Sequence, residues 1–486
     1  MSRFVPRRSS STNPLWRTDR TRPGLGPVSA PPHLPGSTAI AIGPELPSES
    51  TVNQVLDLTM RIGEILMASG AGAADVTATA IAVTSAFGLP HCEVDVIFSS
   101  ISVCCQRGVE LPPVTAHRVV RSRALDYTRL AAVENLVRRI TAGDLDIDAA
   151  HTSLTEISEA PHPYPRWVAT LAWAALAASV TILLGGGPMV ALAAGLISAI
   201  IDRVGRLLNR RALPFFFQQA VGGLLATALS LIMLRLGILP PGIEPALVVA
   251  AAITVLLSGL SFVGSVQDAI SGYNVTAAGR TMEVTMMSAG LIAGVVFALG
   301  MGAQLGLPRI EVAEPLSPTA LHLPVQILAG AATAAAFALA SYAAPRALLV
   351  AGAAGALGAG GYRALILVQA NPIAASGVAA VLIGLCAGTV SRQLRLPPLV
   401  VAVSGLTPLL PGLTIYRSMY ELAVTRRPDG FPLLMQAVAI ALALAAGVVL
   451  GEYLAQPVRS HLGRLERRLA GPRMVGPLRP TRRRLQ

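Results

Sequence analysis

The sequence predicts an all-α polytopic membrane protein of about ten transmembrane helices, built as two inverted five-helix repeats, with a small N-terminal soluble α+β domain. Three observations predict it. Hydrophobic residues make up 53% of the 486 residues, charged residues only 13%, and the mean hydropathy is +0.61; soluble globular chains carry roughly 25% charged residues. Apolar runs follow one another from Trp167 to Ala455. Residues 51–160 instead show the mixed amphipathic patterning of a soluble fold. This make-up excludes an ordinary soluble enzyme, a disordered chain, a coiled coil and a disulfide scaffold.

The formal net charge is +12, and all 38 basic residues are Arg. They gather in the first 40 residues, in 107–139 and after Pro457, beside apolar segments rather than across one soluble face. That placement suits membrane orientation and argues against nucleic acid as a partner. Residues 1–50 are rich in Pro, Ser and Arg and read as a disordered tail. Arg3, Arg7 and Arg8 have no apolar stretch behind them of the kind a signal peptide needs. Cys92, Cys104, Cys105 and Cys386 have no metal-ligand spacing and are expected to be reduced thiols.

The soluble domain, 51–160, opens with helical spacing over Val52–Ser69, where Val55, Leu58, Ile62, Ile65 and Leu66 recur on one face. Ser69-Gly70-Ala71-Gly72 breaks it, and Ala74–Phe87 resumes as a second helix. His91–Cys105 alternates as a strand, with Cys92, Val94, Val96 and Phe98 on one face and His91, Glu93 and Asp95 on the other. Those three polar residues offer too few ligands for a metal and read as a solvated strand face. Another strand is expected near Val114–Val120, a third helix over Tyr127–Ile140 stopping at Gly143, and a short fourth over Ala149–Ile157. No GxSxG, HExxH or Walker motif is present, so an enzyme reading lacks residues to carry it. No cofactor and no metal is expected.

The membrane part divides into 161–310 and 311–456, followed by an Arg-rich tail, 457–486. Candidate spans fall at 168–184, 188–201, 216–236, 246–265, 284–305, 323–341, 347–361, 366–390, 398–412 and 432–455. A straight span needs roughly 20 residues, so the shorter ones are expected to be tilted, extended or broken.

An internal repeat relates the halves. Arg235-Leu-Gly-Ile-Leu-Pro-Pro241 reads against Arg392-Gln-Leu-Arg-Leu-Pro-Pro398. The first copy then carries four extra residues, after which Thr254 matches Thr407, Gly259-Leu260 match Gly412-Leu413, and Asp268 falls opposite Glu421. Five spans per half force the second copy to enter from the opposite side. Arg203, Arg206, Arg210, Arg211, Arg392 and Arg395 then lie inside, with both termini cytoplasmic; Arg417, Arg426 and Arg427 fall outside, against the positive-inside rule.

Intramembrane polar residues are costly and mark candidate sites. Asp268 and Glu421 are the repeat-related acids near the ends of spans four and nine, read either as coupling carboxylates or as interfacial helix-end charges. The stretch Asp268–Arg280 carries Asn274, Thr276 and Arg280, with Glu283 just beyond, and reads either as a site or as an ordinary loop. Span nine carries Thr407, Pro408, Pro411-Gly412 and Tyr416, and its partner carries Ser258-Gly259; interrupted segments at matching positions point to a transporter site. Gln218, Gln219 and Asn371 enter spans three and eight at matching places, able to bind substrate or to join helices.

These features together resemble the ThrE-type threonine/serine exporter family. The resemblance rests on the helix–Ser-Gly-Ala–helix opening at Leu66–Ala73, the ten-span membrane part, the Asp268–Arg280 stretch and the Pro411-Gly412 segment. It covers about residues 50–455, and actinobacterial members fuse both modules in one chain of this size. It implies a multi-pass protein of the bacterial plasma membrane that exports small hydroxylated amino acids, driven by the proton motive force, with the soluble domain in the cytoplasm. The partners implied are a small-molecule amino-acid substrate and the lipid bilayer; a homo-oligomer stays open. Under this reading Asp268 and Glu421 handle the proton, and Asn274, Thr276 and Pro411-Gly412 contact the zwitterion. Arg280 pairs with Glu283 or with the substrate carboxylate. Export of dicarboxylates such as succinate is the alternative within the transporter class. A membrane-bound receptor or enzyme using the soluble domain is the alternative outside it.

Overall fold

The computed structural model describes residues 48–107, 111–121, 125–238, 245–254, 256, 259–306, 322–394, 396–422 and 427–455. The expected tail 457–486, nearly all of the tail 1–50, and Ser258, Arg395 and Arg426 lie outside these.

The N-terminal segment begins at α1 (Glu49–Ala68), where the Ser48 hydroxyl accepts from the Thr51 amide at 3.2 Å and caps the helix. Val52, Val55, Leu58, Ile62 and Leu66 bury one stripe, as their spacing predicts. After a turn at Gly70 (φ +93°), α2 (Ala73–Ala86) follows. The single strand expected over 91–105 is instead a hairpin, β1 (Cys92–Ile97) and β2 (Ser100–Cys105), and β3 (Val114–Val119) completes an antiparallel sheet of order β1-β2-β3. The alternation did place Cys92, Val94 and Val96 on the inner face. The turn was hidden because its first residue, Phe98, adopts φ +54°, a conformation normally signalled by Gly or Asn. α3 (Tyr127–Thr141), capped by Asp126, and α4 (Ile147–Glu159), capped by Asp146, close the segment.

The membrane part contains α5 (Arg166–Leu183), α6 (Pro188–Arg210), α7 (Phe215–Arg235), α8 (Pro245–Thr254), α9 (Gly259–Ile270) and α10 (Asn274–Gln304). It continues with α11 (Leu323–Ala340), α12 (Pro345–Leu367), α13 (Pro372–Leu394), α14 (Pro398–Leu406), α15 (Gly412–Tyr420) and α16 (Gly430–Ala455). Eight of these are long and apolar enough to cross a membrane. A ninth candidate, a broken span or a re-entrant loop, is α14, a 3₁₀ turn at Thr407–Leu409 and α15, bent by 47°. Pro408 and Pro411 explain the bend, because each lacks the amide that would continue the ladder. The window 246–265 is likewise two short helices, α8 and α9. Against the ten expected spans, the described residues give eight helices of spanning length and one bent pair, and the window 246–265 holds only the short helices α8 and α9.

Packing follows membrane rules: small residues inside, large ones outward. Ala177, Ala194, Ala226, Ala334, Ala351 and Ala441 are buried, whereas Leu171, Leu192, Phe297, Leu328, Leu349 and Leu442 are exposed. Several helix pairs approach closely, α7–α10 and α13–α16 among them. A methyl on Gly294 of α10 would overlap the Ala220 carbonyl of α7; one on Gly447 of α16 would lie 2.5 Å from the Gly377 carbonyl of α13. α5 packs on α11 and joins the halves.

Candidate functional site

A buried polar site forms where the N-terminal segment meets α9 and α10. Its origin is a missing cap. Helix α2 starts after Gly72, which has no side chain to accept from the exposed amides of the first turn. The acceptor comes from α9: Asp268 Oδ1 accepts from the Ala73 N–H at 2.9 Å. A Cβ at Gly72 would make only an ordinary contact with that oxygen, at 3.4 Å. The positive end of the α2 dipole favours the carboxylate.

Asp268 is 1% exposed, so its charge needs a partner as well. Arg280 supplies it from α10, with Nη1 2.7 Å from Asp268 Oδ2. The same guanidinium donates through Nη2 to the Ala71 carbonyl at 3.4 Å. One buried ion pair thus ties α9 and α10 to both sides of the Ala71–Ala73 turn.

One helical turn before Arg280, the Thr276 hydroxyl is a two-way clip on the hairpin tip. It donates to the Val96 carbonyl at 3.0 Å and accepts from the Phe98 N–H at 3.0 Å. The Phe98 ring lies over Gly279, where a Cβ would come within 2.8 Å of it. These bonds hold Phe98 in its left-handed conformation.

The structure refines the reading of Asp268–Arg280. Only Ser271–Tyr273 is a turn; α10 begins at Asn274 rather than near 284, so Asn274, Thr276, Arg280 and Glu283 are all helical. Asn274 is exposed at the helix start and Glu283 is half-buried. Arg280 pairs with Asp268, a partner the sequence reading did not give it.

The other candidates lie elsewhere. Gln218 donates to the Leu213 carbonyl at 2.7 Å, while the neighbouring Gln219 is buried with its Oε1 lacking a hydrogen-bond partner among the described residues. Asn371 is exposed, and its Oδ1 accepts from the Ile373 N–H at 2.9 Å to open α13. Thr407 is buried and returns its hydroxyl to the Val403 carbonyl at 3.1 Å. Pro411 and Gly412 form the bend, and the Gly412 amide donates to the Leu410 carbonyl at 2.8 Å. Tyr416 is buried with its ring 6.0 Å from that of Tyr420. Glu421 follows α15 beside Gly430, whose carbonyl accepts from the Ser418 hydroxyl at 2.8 Å.

Sequence reasoning missed that Phe98, Gly279 and the Ala71–Ala73 backbone pack around these side chains. One signal was available: a helix start with Gly72 at its cap and no Ser, Thr, Asp or Asn calls for an acceptor from elsewhere.

Comparison with known proteins places this architecture. A family model described as "Putative threonine/serine exporter" matches residues 57–302, and a second, "Threonine/Serine exporter, ThrE", matches residues 326–454. The chain is 40% identical over 424 residues to a "Probable threonine/serine exporter" of Mycobacterium tuberculosis, covering 85% of this chain and 78% of that protein. The chain belongs to the ThrE threonine/serine exporter family. A second ThrE relative, the "Threonine/serine exporter" of Corynebacterium glutamicum, is 38% identical over 424 residues, covering 85% of each chain. No solved structure matches the chain. The first ThrE match takes in the N-terminal segment and nearly all of α10; the second opens within α11. The boundary between the two family matches thus falls between α10 and α11.

Proposed function

We propose that this chain exports threonine and serine across the bacterial plasma membrane as a proton-coupled secondary transporter, with both termini in the cytoplasm. The observation that carries the reading is the interrupted helix at matching places in the two halves, α8–α9 and α14–α15, within a ThrE chain. Broken helices free backbone groups to meet a charged ligand.

Matched contacts support a two-fold repeat. On the register set by Arg235 with Arg392, Ala220 falls on Gly377 and Leu224 on Val381; on that set by Thr254 with Thr407, Gly294 falls on Gly447. Gly294 meets Ala220 and Leu224, and Gly447 meets Gly377 and Val381, so the same contact recurs in each half. With five helical units per half the second copy is inverted, which sets Asp268 and Glu421 towards opposite faces of the membrane.

An amino acid carries one ammonium and one carboxylate, and Asp268 with Arg280 offers the complement of both. In the conformation seen they neutralise each other. Protonation of Asp268 frees Arg280 for the substrate carboxylate, with the hydroxyl and amide of Thr276 and Asn274 nearby on α10. Glu421 performs the matching proton step beside Pro411-Gly412, with Thr407 and Tyr416 on the same broken helix. Gln218, Gln219, Asn371 and Glu283 line the approaches.

Efflux of labelled threonine from proteoliposomes, with and without an imposed proton gradient, tests this reading. Gradient-dependent flux in the wild type, lost in Asp268→Asn, supports both the export and the coupling. Flux that survives the substitution removes Asp268 from the coupling step. No threonine flux from folded protein overturns the reading, and succinate is then the next substrate to try.

A further inference from the structure

Among the described residues, two contacts of the N-terminal segment with the membrane helices differ in balance: the first is mainly apolar with two hydrogen bonds, the second mainly polar. At the first, the start of α3 meets the turn between α11 and α12. The Tyr127 N–H donates to the Ser341 carbonyl at 2.9 Å, and the Tyr127 ring packs edge-on against Phe337 at 6.4 Å. Phe337 in turn meets Trp173 of α5 at 6.0 Å. Leu130, Val133, Leu176, Val180, Phe337 and Ala347 belong to one continuous buried cluster, so the segment and the α5–α11–α12 helices share an apolar core. Separating them would expose that apolar core to water. His162 adds a stacked contact on Tyr342, with ring centroids 4.4 Å apart.

At the second place the contact is polar. The Asp268–Ala73 bond, the Asp268–Arg280 pair, the Arg280–Ala71 bond and the two Thr276 bonds all join groups that water hydrates well when they part. This contact also stores strain, in the left-handed conformation of Phe98. The two contacts therefore differ in how readily they separate.

We infer that the N-terminal segment is a strap, held permanently through α3 on the α5–α11–α12 core and released at the α9–α10 turn once in each transport cycle. The conformation seen is the strapped state. While the strap is closed, the buried Asp268–Arg280 pair is covered by the α1–α2 turn and the hairpin tip. Movement of α9 and α10 against the α5–α11–α12 core requires these clips to open, a hinge movement between a mainly polar and a mainly apolar contact. This inference rests on the exporter reading.

A disulfide tests it. Phe98→Cys with Gly279→Cys, in a chain whose four native cysteines are replaced, removes the ring that a Gly279 side chain would meet and places two thiols across the clip. Threonine efflux from proteoliposomes is measured reduced, oxidised and re-reduced. The strap predicts flux when reduced, at least a tenfold loss when oxidised, and recovery on reduction. Flux unchanged in fully cross-linked protein overturns the strap and leaves the exporter reading standing. If the wild type itself moves no threonine, the exporter reading falls and the strap with it. If only the variant is inactive, hydrogen exchange in the wild type decides: the Ala73 and Phe98 amides should exchange several-fold faster with saturating threonine than without, and equal exchange overturns the strap.

Discussion

Asp268 Oδ1 lies 2.9 Å from the amide nitrogen of Ala73, a contact across 195 positions of sequence that caps one helix with a side chain from another. Because Arg280 closes on the other oxygen, the same buried carboxylate serves two partners. Removing it leaves a buried guanidinium uncompensated, a change that typically costs about 3–5 kcal/mol. Asp268→Ala should therefore lower the melting temperature in detergent markedly. Asp268→Asn keeps an acceptor for the Ala73 amide and should be the milder of the two.

Thr276→Val keeps the volume of the side chain and deletes both hydroxyl bonds. The Val96 carbonyl and the Phe98 amide then lose partners, which should cost about 1–3 kcal/mol. The specific signature is local: exchange at the Phe98 amide should accelerate several-fold, while the amides of α11 and α12 keep their wild-type protection. Unchanged exchange at Phe98 would mean that the clip is not what protects it.

The α7–α10 and α13–α16 pairs depend on glycine. Gly294→Ala and Gly447→Ala each force a methyl into a carbonyl of the facing helix, and overpacking of this kind costs about 1–3 kcal/mol. Gly300→Ala is the control, because a Cβ there meets nothing within 4 Å. Thermal unfolding of the three variants should show two losses and one near-neutral change.

Glu134, on α3 outside the membrane helices, should give a pH signature. Burial pushes its carboxyl up to about 7; Arg138 lowers it and Asp75 raises it further. The folded chain therefore keeps a proton that the unfolded chain, with the ordinary value of 4.5, gives up. The stability Glu134 contributes is full below about pH 4.5 and falls as pH rises towards 7, levelling above it. The stability of the wild type relative to Glu134→Gln should fall between about pH 5 and pH 7. A constant difference across that window would contradict the assignment.

Much of this fold was legible in the sequence because its signals are local. The stripe Val55, Leu58, Ile62 predicted α1, the stop at Gly143 predicted the end of α3, and the apolar runs marked the membrane helices. Pro408 and Pro411-Gly412 pointed to the break between α14 and α15. What sequence reasoning could not supply was long-range or conformational. The β1–β2 turn carries Phe98 where a Gly or Asn would have announced it. The start of α10 was placed late because Asn274, Thr276 and Arg280 look like loop residues until their partners across the junction are seen. The polarity of Asp268 and Arg280 singled them out, but their engagement with the α1–α2 turn follows from tertiary packing alone.

The most direct test of the central claim is exchange transport. Proteoliposomes holding the wild-type chain, loaded with labelled threonine, are diluted into buffer containing unlabelled serine, unlabelled succinate or neither. The account predicts that external serine accelerates loss of labelled threonine and that succinate leaves it unchanged. Acceleration by succinate but not by serine would contradict it.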